Sequence, residues 1–178
     1  MELDRPIARR TFLRWGSLSV GLLALSQLRT GAALAEAVAA AGGLRVMTPA
    51  DARVMGAIAE RMVFSGAAEM PRFSQTAGLQ AIDRALEFAP EEARTQLPWA
   101  LWLLEYSPLV AVRRAARFTS LAPADQDTCL TAWAESRVSV CQLAFEAFKN
   151  LSMLGYYSQD ATWKGIHYTG PWVPRPRK

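Results

Sequence analysis

The sequence contains few of the residues from which metal and redox sites are built. It has one histidine, His167, and two cysteines, Cys129 and Cys141, in 178 residues. A zinc or non-haem iron site needs three or four convergent ligands, so a single histidine does not define one. The cysteines form no C-x-x-C-H motif, and two are too few for an iron–sulfur cluster held by this chain alone. We therefore expect no metal or haem site in this chain.

Motifs for phosphate binding and nucleophilic catalysis are also missing. The sequence has no G-x-G-x-x-G, no P-loop and no G-x-S-x-G motif. Its acidic residues at 91, 92, 125 and 127 fall near predicted helix starts, where they complement the helix dipole. We expect no catalytic residue and no cofactor-binding residue in this chain, and a self-sufficient enzyme is the least favoured class.

The net charge of +4 is concentrated at the two ends of the chain. Residues 1–35 carry five arginines and two acidic residues, and three of the last four residues are basic. The sequence between them is slightly acidic and offers no basic face for a phosphate backbone. Nucleic acid is therefore disfavoured as a partner.

The N-terminal segment has the layout of an export signal. Arg9, Arg10, Phe12 and Leu13 match the R-R-x-F-L pattern of the twin-arginine signal, and Arg14 supplies the basic residue that follows it. A nearly uncharged stretch at 15–28 and an A-x-A site at 33–35 complete the layout. The apolar stretch is shorter than the ~20 residues that cross a bilayer. We predict a twin-arginine signal at 1–35, with an ordinary amphipathic helix as the alternative.

Residues 36–178 are predicted to form a single all-α domain of four or five helices, because no segment shows sustained alternation of apolar and polar residues. Apolar periodicity and first-turn prolines place the first helix from Pro49 to about Phe64 and the second up to about Ala89. A third helix starts at Pro90, with a kink or break expected at Pro98. A short fourth helix is predicted at 109–118.

The longest predicted helix runs from Pro123 to about Leu154 and carries two apolar stripes. One stripe reaches from Leu130 to Phe148 and the other from Trp133 to Leu154, so the helix is either central to a bundle or also packed against a partner. On one straight helix Cys129 and Cys141 would lie ~18 Å apart, too far for a disulfide. From about Gly155 the helical pattern stops, and an ordered aromatic C-terminal extension is expected.

Four motifs in the second half of the chain resemble a known family. They are FTSL at 118–121, WAESR at 133–137, FEAFK at 145–149, and GYYS at 155–158 followed by Trp163, Gly165, Tyr168, Gly170 and Pro171. Together with the export signal, they resemble the gluconate 2-dehydrogenase small-subunit (subunit 3, gamma) family. The resemblance covers residues 45–172; the sequence at 138–142 departs from the family's basic, apolar-rich pattern.

The resemblance implies a non-catalytic small subunit. In that family the small subunit binds a glucose-methanol-choline type flavoprotein large subunit, which holds FAD, and supplies the twin-arginine signal by which the translocase exports both. Electrons then pass to a cytochrome c subunit or another acceptor. The implied location is the periplasm, with membrane association through the complex.

Aromatic and arginine residues are the predicted partner interface, because such side chains combine large area with a polar group. These residues are Trp133, Arg137, Tyr156, Tyr157, Trp163, Tyr168 and Trp172. The alternative is that the same aromatics close the core of this domain. A second functional hypothesis is a stand-alone exported binding protein whose aromatic C-terminal segment lines a small-molecule pocket.

Overall fold

The computed structural model describes residues 43–63 and 70–170 of the chain. Within these ranges the structure is all-α and contains no β-strand, which confirms the predicted fold class. Five of the helices have ten or more residues and two have four. The helices are Pro49–Val63 (α1), Gly78–Glu87 (α2), Glu91–Tyr106 (α3), Pro108–Ala111 (α4), Pro123–Ala134 (α5), Ser139–Tyr157 (α6) and Asp160–Trp163 (α7). Single 3₁₀ turns lie at Phe73–Gln75, Phe118–Ser120 and Lys164–Ile166.

Helix α1 begins where its capping residues predict. The Thr48 hydroxyl lies 2.6 Å from Asp51 Oδ2, and the Asp51 backbone N–H donates to Thr48 Oγ1 at 3.2 Å. The two side chains thus satisfy backbone donors that the first turn of a helix leaves without partners. The buried face of α1 includes Val54, Met55 and Ile58.

Helix α3 continues through Pro98, so the predicted break at this residue does not occur. A proline removes one backbone N–H from the helix, but the rest of the hydrogen-bonding ladder remains. Leu97 and Leu101 on either side of Pro98 are both buried in the core. We attribute the continuity of the helix to this packing on both sides of the proline.

The prediction of a helix at 109–118 is wrong for most of its length. Helix α4 ends at Ala111, and a separate 3₁₀ turn forms at Phe118–Ser120. The buried carboxylate of Glu105 holds this turn by accepting from Thr119 N at 3.1 Å and from Thr119 Oγ1 at 2.7 Å. Gln126 Nε2 donates to the Phe118 carbonyl at 3.0 Å. Tertiary hydrogen bonds therefore add to the local ones of the turn in fixing this part of the chain.

The predicted long helix is two helices, because the chain turns between α5 and α6. The rings of Trp133 and Phe148 lie 6.2 Å apart, whereas fifteen residues of straight helix would separate them by ~22 Å. Folding back lets both side chains enter one core. Cys129 and Cys141 are both free thiols, although the expected separation along one helix does not apply.

Helix formation also extends beyond the predicted limit near Gly155. Helix α6 ends at Tyr157, and α7 and a 3₁₀ turn follow it up to Ile166. An added Cβ at Gly165 would lie within bonding distance of Met70 Sδ. The absence of a side chain at Gly165 thus lets the C-terminal turn close over Met70.

Helix α6 is the centre of the described bundle and packs against α1, α2, α5 and α7. Its approach to α2 is so close that an added Cβ at Gly155 would lie 2.8 Å from the Gly78 carbonyl oxygen. The buried face of α6 is Phe148, Ser152, Gly155 and Tyr156. All four lie in its C-terminal half, so the N-terminal half has no buried residue.

Candidate partner-binding groove

An apolar groove lies between α3 and the N-terminal half of α6. Its volume is about 850 Å³, and none of its lining residues is charged. Leu86 and Ala89, where α2 meets α3 along the chain, also line it. Thr95, Gln96 and Asn150 are its polar side chains, and the other lining residues are apolar. The groove is therefore large, uncharged and bordered by two helices.

The wall contributed by α6 contains four residues of the second predicted stripe. Val140, Ala144, Ala147 and Leu151 all line the groove. Leu143 lies beside them with 69% of its surface exposed. Only this middle part of the second stripe faces the groove, because its first residue, Trp133, is buried in the core.

The wall contributed by α3 carries exposed aromatic residues. Trp99 lines the groove, and its ring meets that of Trp102 edge-on at 5.5 Å. Trp102 in turn lies 5.2 Å from Tyr106. Phe88, the sequence neighbour of the lining residue Ala89, is 88% exposed but does not itself line the groove. Large apolar side chains that meet water in such concentration mark interaction sites on soluble proteins.

Two predicted interface residues belong to the core of this chain. Tyr156 has no exposed surface, and its hydroxyl donates to the Pro71 carbonyl at 2.6 Å. Trp133 is buried, and its Nε1 donates to Ser107 Oγ at 3.1 Å. The prediction of a partner contact is therefore wrong for these two side chains, because the domain's own packing takes up their surface. Burial is also the main reason why the pKa of the Tyr156 hydroxyl is raised.

Three other predicted interface residues gather at the C-terminal end of α6. Trp163 Nε1 donates to the Tyr157 carbonyl at 2.8 Å, and the Trp163 and Tyr168 rings meet edge-on at 5.1 Å. Tyr157 and Tyr168 are exposed, and Trp163 is half-buried. Arg137 is exposed in the separate turn between α5 and α6. None of these residues lines the groove.

Several predicted residues lie outside the described ranges. Trp172 and the signal residues Arg9, Arg10, Phe12 and Leu13 are among them. Their predicted roles therefore stay predictions.

The two cysteines differ in environment. Cys129 is fully buried, with its Sγ 3.3 Å from Ser107 Oγ, whereas Cys141 is half-buried. Burial raises the pKa of the Cys129 thiol, and the hydrogen bond with Ser107 offsets this only in part. Cys129 is thus held as a neutral thiol beside the Ser107 hydroxyl, which also accepts the hydrogen bond of the Trp133 indole.

The described residues provide neither a cluster of metal ligands nor a membrane-spanning helix. Across residues 43–63 and 70–170, no group of three or more histidine, cysteine or acidic residues is placed to hold a metal ion. In the same part of the chain, no helix combines the length and the hydropathy of a membrane span.

Comparison of the chain with protein-family models, with curated proteins and with solved structures finds no match. The likeness to the gluconate 2-dehydrogenase small subunits therefore depends on the sequence motifs alone.

The sequence prediction missed the groove residues and chose a different aromatic set. Trp99 and Leu143 are exposed in the groove and were not among the predicted interface residues. Leu143 belongs to neither predicted stripe, whereas its groove neighbours Val140 and Ala144 belong to the second, which exceeds what one core face needs. The relative position of α3 and α6 was not readable from the pattern of either helix.

Proposed function

We propose that this protein is the non-catalytic small subunit of an exported FAD-dependent sugar or alcohol dehydrogenase. In this proposal it binds a glucose-methanol-choline type flavoprotein large subunit and supplies the twin-arginine signal for export of both. FAD belongs to the large subunit, and a cytochrome c subunit or another acceptor takes the electrons. The mature complex works in the periplasm, and any membrane association comes through the complex.

The groove between α3 and α6 is the observation that carries the proposal. Its lining is uncharged, and its α6 wall leaves Leu143 mostly exposed to water. Covering such a surface with a partner removes apolar area from water, at about 25 cal/mol for each Å². Uncharged cores with aromatic anchors are typical of stable protein interfaces. Trp99 supplies such an anchor in the groove.

The four motifs and the signal sequence support the identity of the partner. The signal matches a route that exports folded proteins, which suits a subunit that assembles with its partner before export. The aromatic cluster of Tyr157, Trp163 and Tyr168, at the C-terminal end of α6, provides a second surface outside the groove. Within the proposal, this cluster is an additional contact and the groove is the main one.

Co-expression of the chain with a flavoprotein large subunit tests this function. We expect a stable complex that contains FAD in the large subunit, and export of both proteins to the periplasm. Changing Arg9→Lys and Arg10→Lys together should leave both in the cytoplasm while the complex still forms. Export of the large subunit that is unaffected by the double change would refute the escort role.

The dimensions of the groove also favour a second candidate function. Small-molecule pockets typically have volumes of about 300–1,000 Å³ and mostly apolar walls with a few polar groups. A volume of about 850 Å³ with three polar side chains falls within this description. A stand-alone exported binding protein would therefore use this groove rather than the aromatic C-terminal segment.

Gel filtration and native mass spectrometry of the gently isolated protein separate the two candidates. A complex with a flavoprotein supports the small-subunit function. A monodisperse monomer that carries a bound small molecule supports the binding protein.

A further inference from the structure

We propose that, in the chain without a partner, residues 15–28 of its own N-terminal segment occupy the groove between α3 and α6. The groove then has a resident occupant before the large subunit arrives. The docking itself does not depend on the identity of that partner. The displacement of residues 15–28 by a large subunit rests on the proposed function.

The point where the N-terminal segment leaves the domain lies beside the groove. The buried carboxylate of Asp83 accepts hydrogen bonds from the backbone N–H groups of Arg45, Val46 and Met47 at 2.7, 3.0 and 2.8 Å. Arg45 Nη1 also lies 3.2 Å from Glu87 Oε2. Glu87 is the sequence neighbour of Leu86, which lines the groove. The chain at residue 45 is therefore held against α2, the helix that contributes Leu86 to the groove.

The connecting chain is long enough to bring residues 15–28 into the groove. The stretch from 29 to 42 has about 14 residues and spans at most ~46 Å when extended. The α6 wall between residues 140 and 151 is ~18 Å long at 1.5 Å per residue.

The chemistry of the segment complements that of the groove. Residues 15–28 contain no charged side chain, and Arg14 and Arg29 stand immediately outside them. Leu18, Leu22 and Leu25 recur at spacings of four and three, which is the repeat of one helical face. The groove is lined by no charged residue, so docking leaves no charge unpaired. Segment and groove both lose apolar contact with water.

Self-docking would link assembly to export. While residues 15–28 lie in the groove, the apolar part of the signal is covered beside its two arginines. A large subunit that takes the groove releases the segment to the translocase. The chain would then present its complete signal after it has bound its partner.

Photo-crosslinking in the full-length chain tests the docking. A benzoylphenylalanine is placed at Leu143 in the groove and, as a matched control, at Leu109, which is 62% exposed and lies outside the groove. After irradiation, we expect peptides from residues 15–28 to be joined to position 143 at least tenfold more than to position 109. The yield should not change with protein concentration, because the contact is intramolecular.

Changes in the segment provide the second arm. Leu22→Arg with Leu25→Arg should lower the crosslink yield at position 143 at least tenfold, while circular dichroism stays that of the unchanged chain. Crosslinks from 143 to a second copy, to another part of the chain, or at the level of position 109 would overturn the proposal.

Addition of the purified large subunit separates this inference from the proposed function. A complex that abolishes the crosslink from 143 supports displacement, and a complex that leaves it unchanged overturns displacement. If no complex forms while the crosslink to residues 15–28 is present, the proposed function fails and the docking stands.

Discussion

Replacing Gly155 with alanine is expected to destabilise the fold, although alanine is the better helix former. Gly155 lies in α6 where this helix touches α2. An alanine Cβ would lie 2.8 Å from the Gly78 carbonyl oxygen and 2.8 Å from Ile82 Cγ1. The first of these atoms belongs to the backbone of another helix, so it cannot move without moving α2.

Two opposing effects set the magnitude. Changing glycine to alanine inside a helix favours folding by about 1 kcal/mol. Overpacking of a core contact costs about 1–3 kcal/mol, and a clash with backbone falls at the upper end of this range. We therefore expect the free energy of unfolding to fall by about 1–2 kcal/mol and the Tm to fall by about 2–8 °C.

Gly56→Ala is the matched control, since Gly56 also lies inside a helix. A Cβ at Gly56 would meet Leu79 Cδ1 at 3.5 Å, an ordinary van der Waals contact. This variant should keep or gain up to about 1 kcal/mol of stability. Urea unfolding of the full-length chain, followed by circular dichroism, measures both variants. A Gly155→Ala protein as stable as Gly56→Ala would refute the close approach of α6 and α2.

Three further outcomes follow from the described contacts. Asp83→Ala should lower the free energy of unfolding by about 2–4 kcal/mol in the same urea assay, because it leaves one buried and two partly buried backbone N–H groups without their acceptor. An unchanged value would contradict this. Leu143→Arg should weaken binding of the large subunit about 10–30-fold in a titration. The reason is that roughly two thirds of the leucine side chain is exposed, and its burial in the complex is worth about 1.5–2 kcal/mol. Leu109→Arg, the control outside the groove, should leave the affinity unchanged, and equal effects of the two changes would exclude the groove as the interface. Cys141 should react with a thiol reagent well before Cys129, and equal rates in the folded protein would contradict the burial of Cys129. Because burial raises the pKa of Cys129, the contribution of this thiol to the free energy of unfolding should be constant below the pKa of an exposed thiol. That contribution should fall as the pH rises from there towards the raised pKa.

Local signals predicted the start of the fold well. The Thr48, Pro49 and Asp51 pattern placed α1 correctly, because the capping interactions form between residues three apart. The same reasoning predicted that the third helix starts at Pro90, and α3 begins one residue later, at Glu91. Such boundaries depend on neighbours along the chain, so a single sequence contains the information.

The boundaries that failed depend on contacts between distant residues. The turn at 135–138 contains neither proline nor glycine, and what requires it is the packing of Trp133 against Phe148. The 3₁₀ turn at Phe118–Ser120 has local hydrogen bonds between Arg117 and Ser120, but it is also held by the distant side chains of Glu105 and Gln126. These partners come together only when the helices have assembled.

For the groove, too, the local pattern was predictable and the contact between distant helices was not. Apolar periodicity predicted that the helix containing residues 140–154 carries more apolar surface than one core needs. It did not predict that α3 would form the opposite wall. Several residues that carry the family resemblance, among them Trp133, Phe148 and Tyr156, serve the core. A recognisable aromatic motif therefore did not distinguish packing from partner contact.

The hydrogen bonds between Asp83 and the backbone of residues 45–47 determine how many N-terminal residues can be removed without breaking this attachment. The Asp83 carboxylate holds the earliest anchored backbone groups among the described residues, about ten positions after the A-x-A site at 33–35. A peptidase that cuts at the A-x-A site would remove the predicted twin-arginine signal and leave all three hydrogen bonds in place. Cleavage at that site would therefore not weaken this attachment, whereas a cut only a dozen residues later would remove its backbone donors from the bundle.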